Sequence, residues 1–185
     1  MAFGSYEINV NTSGMPQKVA SAFFDVTSKL IGAKYDFAAY LGSQVANGTN
    51  HAIVAKQTVI TGVDHYNVVL MVLNEKAEGF TLVNIVPILE GGEPLGGTKI
   101  QVSTEFPEDA QNAFDTFMTG FVGSSIKPIL YLGSQLVNGT NYYFLVESKM
   151  ILAPNGFSRA NDPSIDVLRT NPKLHTFDLQ DVLAQ

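Results

Sequence analysis

The chain contains no cysteine and no tryptophan among its 185 residues. Without a thiol there is no disulfide, no thiolate nucleophile and no thiolate metal ligand. Basic residues are also scarce: 11 Lys and Arg stand against 17 Asp and Glu, for a formal charge of −6. A nucleic-acid surface needs Lys and Arg gathered on one face, and no segment here concentrates them. No apolar run approaches the length of a membrane-spanning helix. The first residues carry neither the positive cluster nor the apolar stretch that opens a secretion signal. The expectation is a cytoplasmic protein that meets no membrane and no nucleic acid.

Catalytic constellations are missing too. The three histidines, His51, His65 and His175, have no second His or carboxylate at metal-ligand spacing. Gly-Ser-Gln at 42–44 and again at 133–135 lacks the second glycine of a nucleophile elbow. The glycine pairs 91–92 and 96–97 do not follow a strand and open a helix, so they form no phosphate cradle. The residues give no reason to expect an enzyme, a metal or a cofactor.

What the chain does have is a repeat. Tyr131-Leu132-Gly133-Ser134-Gln135-Leu136-Val137-Asn138-Gly139-Thr140-Asn141-Tyr142 reproduces Tyr40-Leu41-Gly42-Ser43-Gln44-Val45-Ala46-Asn47-Gly48-Thr49-Asn50-His51, which lies 91 residues earlier. Nine of the twelve positions are identical. In both copies Asn-Gly stands between strand-like runs. That dipeptide favours a type I′ hairpin turn, which needs positive φ at both central residues. The halves align without a gap from 16/107 to 60/151.

The repeat sets the expected architecture. Pro16 and Pro107 are placed at the first helical position, where a missing N–H is harmless. Val19, Ala22, Phe23, Val26 and Leu30 follow at helical spacing, as do Ala110, Ala113, Phe114, Phe117 and Phe121. Gly32 and Gly123 fall just past the last turn. Short alternating segments, 6–10 and 99–102, precede the helices, and β-rich runs at 52–60 and 142–151 follow the Asn-Gly tips. Further strands are expected at 66–73, 80–86, 166–168 and 174–182, and the long connection 153–164 is where the repeats diverge most. Residues 90–97 are rich in glycine and read as a linker. The predicted fold class is α+β: domain 1 over 1–90, a linker over 91–97 and domain 2 over 98–185. Each domain is expected to be an antiparallel sheet of about five strands wrapped on one helix.

Gln135-Leu136-Val137-Asn138-Gly139, followed by Thr140-Asn141-Tyr142-Tyr143, resembles the Gln-x-Val-x-Gly hairpin of the cystatin family. Gln44-Val45-Ala46-Asn47-Gly48 matches it except at Ala46. The resemblance implies tandem cystatin-like domains and reversible inhibition of papain-like cysteine proteases. It also implies a wedge made of an N-terminal glycine, the first hairpin loop and the second hairpin loop. By position these are Gly4, residues 44–48 and residues 75–79 in the first half. In the second half they are Gly96 or Gly97, residues 135–139 and the loop holding Asn171 and Pro172. Cystatins often carry a tryptophan in the second loop, and this chain has none. A non-inhibitory binding module on the duplicated scaffold is the alternative, and a monomer or a strand-exchanged dimer is expected.

Overall fold

The computed structural model describes residues 4–92, 96–150 and 162–184. Residues 1–3, the centre of the expected linker (93–95), the end of the 142–151 run, and the divergent connection up to residue 161 lie outside the described residues. The chain divides into two compact units, Met1–Gly91 and Gly92–Gln185.

Unit 1 runs β1 (Glu7–Asn11), α1 (Gln17–Lys29), β2 (Ala33–Val45), β3 (Thr49–Thr61), β4 (Val63–Lys76) and β5 (Gly79–Glu90). Its sheet has the order β1-β2-β3-β4-β5, and each neighbouring pair is antiparallel. Unit 2 runs β6 (Thr98–Ser103), α2 (Glu108–Gly120), β7 (Ser124–Val137), β8 (Gly139–Met150), β9 (Ser164–Asn171) and β10 (Thr176–Asp181). Its order is β10-β9-β8-β7-β6, again antiparallel throughout.

Both helices start one residue later than their prolines suggest. Pro16 and Pro107 are N-caps with extended ψ of 137° and 146°, so only their carbonyls join the helices, accepting from Ala20 N and Gln111 N at 2.9 Å. Val19, Ala22 and Phe23 of α1 are buried, as are Ala110, Ala113 and Phe114 of α2. Each stripe meets one sheet face: Tyr40, Ile53, Val69, Met71 and Leu73 under α1, and Ile126, Tyr131, Phe144, Val146 and Leu168 under α2.

The expected α+β class, two cystatin-like domains each with a sheet wrapped on its helix, is overturned by this architecture. Among the described residues strand predominates over helix, in two antiparallel five-stranded sheets with one 13-residue helix each. The physical reason lies in the alternate positions of the strands. Ala39, Ala52, Val54, Val68, Leu70 and Val72 point away from α1, and every one of them is buried. In unit 2 the same holds for Leu130, Leu145, Ile165 and Val167. A 13-residue helix covers only one face of a sheet. The two-sided burial makes the strands, and not the helices, the main carriers of the core. It also explains why 68–73 is one continuous apolar run and not an alternating one.

Glycine fixes the bend at the repeated motif. The register of β2 against β3 slips between Tyr40 and Gly42, and that of β7 against β8 slips between Tyr131 and Gly133. Both glycines have positive φ, 142° and 152°. A Cβ at Gly42 would collide with the Glu7 carbonyl oxygen, and one at Gly133 with the Lys99 carbonyl oxygen. The bulge and the missing side chain therefore let the first strand of each unit pass close across the motif. Gly133→Ala is expected to destabilise unit 2 by about 3 kcal/mol through overpacking and backbone strain. Urea unfolding followed by tyrosine fluorescence would measure it, and a change below about 1 kcal/mol would show that the close approach is not needed.

Candidate functional site

At one end of each sheet a row of carboxamides crosses the strands. In unit 2, Gln135 Nε2 donates to Gly96 O at 2.8 Å, and Gln135 Oε1 accepts from Asn141 Nδ2 at 3.1 Å and from Tyr143 Oη at 3.0 Å. Asn171 Nδ2 then donates to Asn141 Oδ1 at 2.9 Å and to Asn138 O at 3.3 Å, while Asn171 Oδ1 accepts from Leu174 N at 3.1 Å. Unit 1 repeats the row. Gln44 Nε2 donates to Gly4 O, Asn50 Nδ2 to Gln44 Oε1 at 3.0 Å, and Asn74 Nδ2 to Asn50 Oδ1 at 2.7 Å. The row brings three separate pieces of chain to one edge: the segment before the first strand, the first hairpin tip and the second hairpin.

The row and the bend behind it account for most of the duplicated residues. Tyr40 and Tyr131 are buried under the helices, and the Tyr40 hydroxyl lies 3.0 Å from His51 Nδ1. Leu41 and Leu132 are fully buried, and Gly42 and Gly133 form the bulges. Gln44 and Gln135 start the row, Asn50 and Asn141 continue it, and Asn-Gly closes the hairpin. Most of the identical positions are thus set by the fold.

The two tips are not copies in detail. In unit 1 residues 46–48 lie between the paired Val45 and Thr49, with positive φ at both Asn47 (46°) and Gly48 (109°). In unit 2 only Asn138 separates β7 from β8, Val137 pairs with Gly139, and the positive φ falls on Gly139 alone (85°). The expected turn with two left-handed residues forms in unit 1 only. The rows differ as well: Asn74 Oδ1 is buried without a hydrogen-bond partner, whereas its counterpart Asn171 Oδ1 is satisfied.

The residues anticipated as contacts separate into two groups. Gln44, Gln135 and Asn171 are engaged inside the edge, and Asn171 is only 2% exposed. Gly4 is exposed and gives its carbonyl to Gln44, while Pro172 is half-buried in the β9–β10 turn and Ala46 half-buried in the first tip. Gly48 is exposed and Gly139 half-buried, each against the neighbouring hairpin. The side chains left facing outward are Leu136 (73% exposed), Val137 (46%), Val45 (64%), Asn47 and Asn138. Leu174, whose N–H donates to Asn171, joins them at 43%; it was missed in the sequence because no spacing ties its turn to the first tip. The edge of unit 2 therefore presents three aliphatic side chains on a hydrogen-bonded frame.

Unit 1 adds a charged brace behind its second hairpin. Buried His51 has Nδ1 3.0 Å from the Tyr40 hydroxyl and Nε2 3.1 Å from Glu75 Oε2, and Lys18 Nζ of α1 donates to Glu75 Oε1 at 2.6 Å. Its ring also lies between those of Tyr40 and Phe80. Unit 2 has Tyr142 in the place of His51, so only one tip is braced this way. Buried Asp166 accepts from the hydroxyls of Ser148 and Ser164. Among the described residues no group of three or more His, Cys, Asp or Glu is placed to hold a metal, and no helix is long and apolar enough to cross a membrane. No family model, no curated protein and no solved structure matches the chain.

Two measurements test this geometry. Gln135→Ala removes one donor and two acceptor contacts and is expected to destabilise unit 2 by about 1–3 kcal/mol. It should also raise amide exchange at 96–98 and 138–141, and unchanged exchange there would show that the row does not hold the edge. The second measurement is acid titration of unit 1. The hydrogen bond from Lys18, and then that with His51, hold the Glu75 carboxyl below its usual range. A carboxylate with a depressed folded pKa adds stability above its unfolded pKa and loses it as pH falls through the folded one. Unit 1 should therefore lose stability on acidification below the ordinary carboxylate pKa, and Glu75→Gln should flatten that dependence. A slope unchanged by Glu75→Gln would remove the brace from the account.

Proposed function

We propose that the protein is a reversible, cleft-blocking inhibitor of papain-like cysteine proteases and not an enzyme. The acting surface is the edge of unit 2 formed by residues 96–98, 136–139 and 171–174. The supporting observation is the row Gly96, Gln135, Asn141 and Asn171, which joins all three segments while leaving Leu136, Val137 and Leu174 exposed. An edge that carries exposed aliphatic side chains on a tied frame suits insertion into a concave cleft. Because its segments are already tied together, little conformational freedom is lost on docking. Aliphatic side chains at the centre supply the desolvated contact, with polar groups around them.

Val45 and Ala46 give the edge of unit 1 less apolar reach than Leu136 and Val137 give unit 2, so the second edge is the stronger binder in this reading. The action is assigned to the cytoplasm, by a monomer or a strand-exchanged dimer, as part of the same proposal. A second reading, a non-inhibitory binding module, is favoured by one observation: the fold by itself explains most of the identical positions of the repeat. Steady-state titration of papain separates the two. The unmodified protein should inhibit at or below micromolar concentration and release on dilution. Val137→Asp places an unpaired charge in the contact and should weaken inhibition at least tenfold, about 1.4 kcal/mol, with unchanged thermal stability. Absence of inhibition by the unmodified protein at micromolar concentration would overturn the proposal.

A further inference from the structure

Each hairpin tip carries an asparagine followed by glycine, the pair in which the side-chain amide is most open to attack by the next backbone nitrogen, because glycine offers no side chain to block it. The two tips hold this pair differently. Gly48 lies outside both flanking strands, and the backbone bond within its turn runs from Ala46 N to Gly48 O, leaving the Gly48 N–H without a partner among the described residues. Asn47 is exposed, and its side chain makes no hydrogen bond among the described residues. In unit 2, by contrast, Gly139 belongs to β8, where it pairs with Val137, and the Asn138 carbonyl accepts from Asn171 Nδ2.

A lysine accompanies each pair. The Lys76 stem runs beside Gly48, with its Cγ 3.0 Å from where a Cβ would stand. Lys173 takes the same place beside Gly139. An ammonium tethered there favours negative charge developing at the tip.

We propose that Asn47-Gly48 is a site of spontaneous intramolecular deamidation that turns the neutral tip of unit 1 into an anionic one. The Gly48 nitrogen gives up its proton and bonds to Asn47 Cγ, and the bond from Cγ to the side-chain nitrogen breaks, releasing ammonia. The resulting five-membered imide is opened by one water. Opening at Cγ yields aspartate, and opening at the main-chain carbonyl yields isoaspartate with an extra carbon in the backbone. Nothing is oxidised or reduced. Asn138 follows more slowly, because Gly139 belongs to β8 and the carbonyl of the Asn138–Gly139 peptide is held by Asn171. The consequence for docking rests on the inhibitory reading: the tip of unit 1 becomes charged with age and loses its apolar contact, while the tip of unit 2 stays neutral.

The test is to hold the full chain at mildly alkaline pH and body temperature. Peptides containing 47–48, 138–139 and 155–156 are then followed separately by mass spectrometry with isoaspartate detection. The 155–156 Asn-Gly pair lies outside the described residues and is kept apart from the comparison. The 47–48 peptide should gain one dalton ahead of the 138–139 peptide, with isoaspartate present. Lys76→Gln should slow that gain, and Asn47→Gln should abolish it. The proposal is overturned if 47–48 stays unchanged while a synthetic peptide of residues 43–52 converts fully, or if 138–139 converts first. The mass shift does not depend on protease binding, so failure of the inhibitory reading and failure of this one are separately visible.

Discussion

The constraint on which the rest depends is the row of side-chain amides crossing the end of each sheet. A carboxamide is suited to this place because it donates and accepts at once, so it can pass a hydrogen bond from one strand to the next. Gln135 reaches back to Gly96 and forward to Asn141, and Asn171 takes up the chain from there. The gain from each bond is modest, but the groups are half-buried, so breaking one leaves its neighbour unpaired. The row thereby makes three remote stretches of chain behave as one edge. Unit 2 completes it better than unit 1, where Asn74 Oδ1 is left unpaired and the His51–Glu75–Lys18 brace ties the second hairpin to β3 and α1 instead.

Behind the edge, the sheets carry the weight. Because apolar residues fill alternate positions on both faces, each strand is tied into buried surface on two sides, and register is strongly specified. The bulges at Gly42 and Gly133 are the points where that regularity is broken, and they are broken in the same way twice. There the chain bends toward the first strand of the unit, and the bend delivers Gln44 or Gln135 to the segment that holds Gly4 or Gly96.

Local features were legible in the residues. The helical stripes of Val19, Ala22 and Phe23, and of Ala110, Ala113 and Phe114, follow from 3.6-residue spacing, and the Asn-Gly pairs mark hairpins. The features that escaped reading are those fixed by contacts across strands. Asn50 meets Asn74 from 24 residues away and Asn141 meets Asn171 from 30, and no spacing rule links them. The same separation hides His51 from Glu75. Fold class is not legible because the six-residue apolar run at 68–73 has the length of one more strand over a helix, and spacing alone does not show that both of its faces are buried. The turn of unit 2 was misread because identical dipeptides do not fix identical turns. Asn138 leads straight into a strand whose pairing starts at Gly139, and Asn47 does not.

The central claim is that the edge of unit 2 binds as a single surface. Its most direct test is an amide-shift map of the protein with and without a catalytically inactive papain-like protease. The account predicts shifts clustered at 96–98, 136–140 and 171–175 together, with the opposite end of the same sheet, around 124–127, unaffected. Shifts confined to one of these segments, or centred on the helix face or the far end of the sheet, would contradict it.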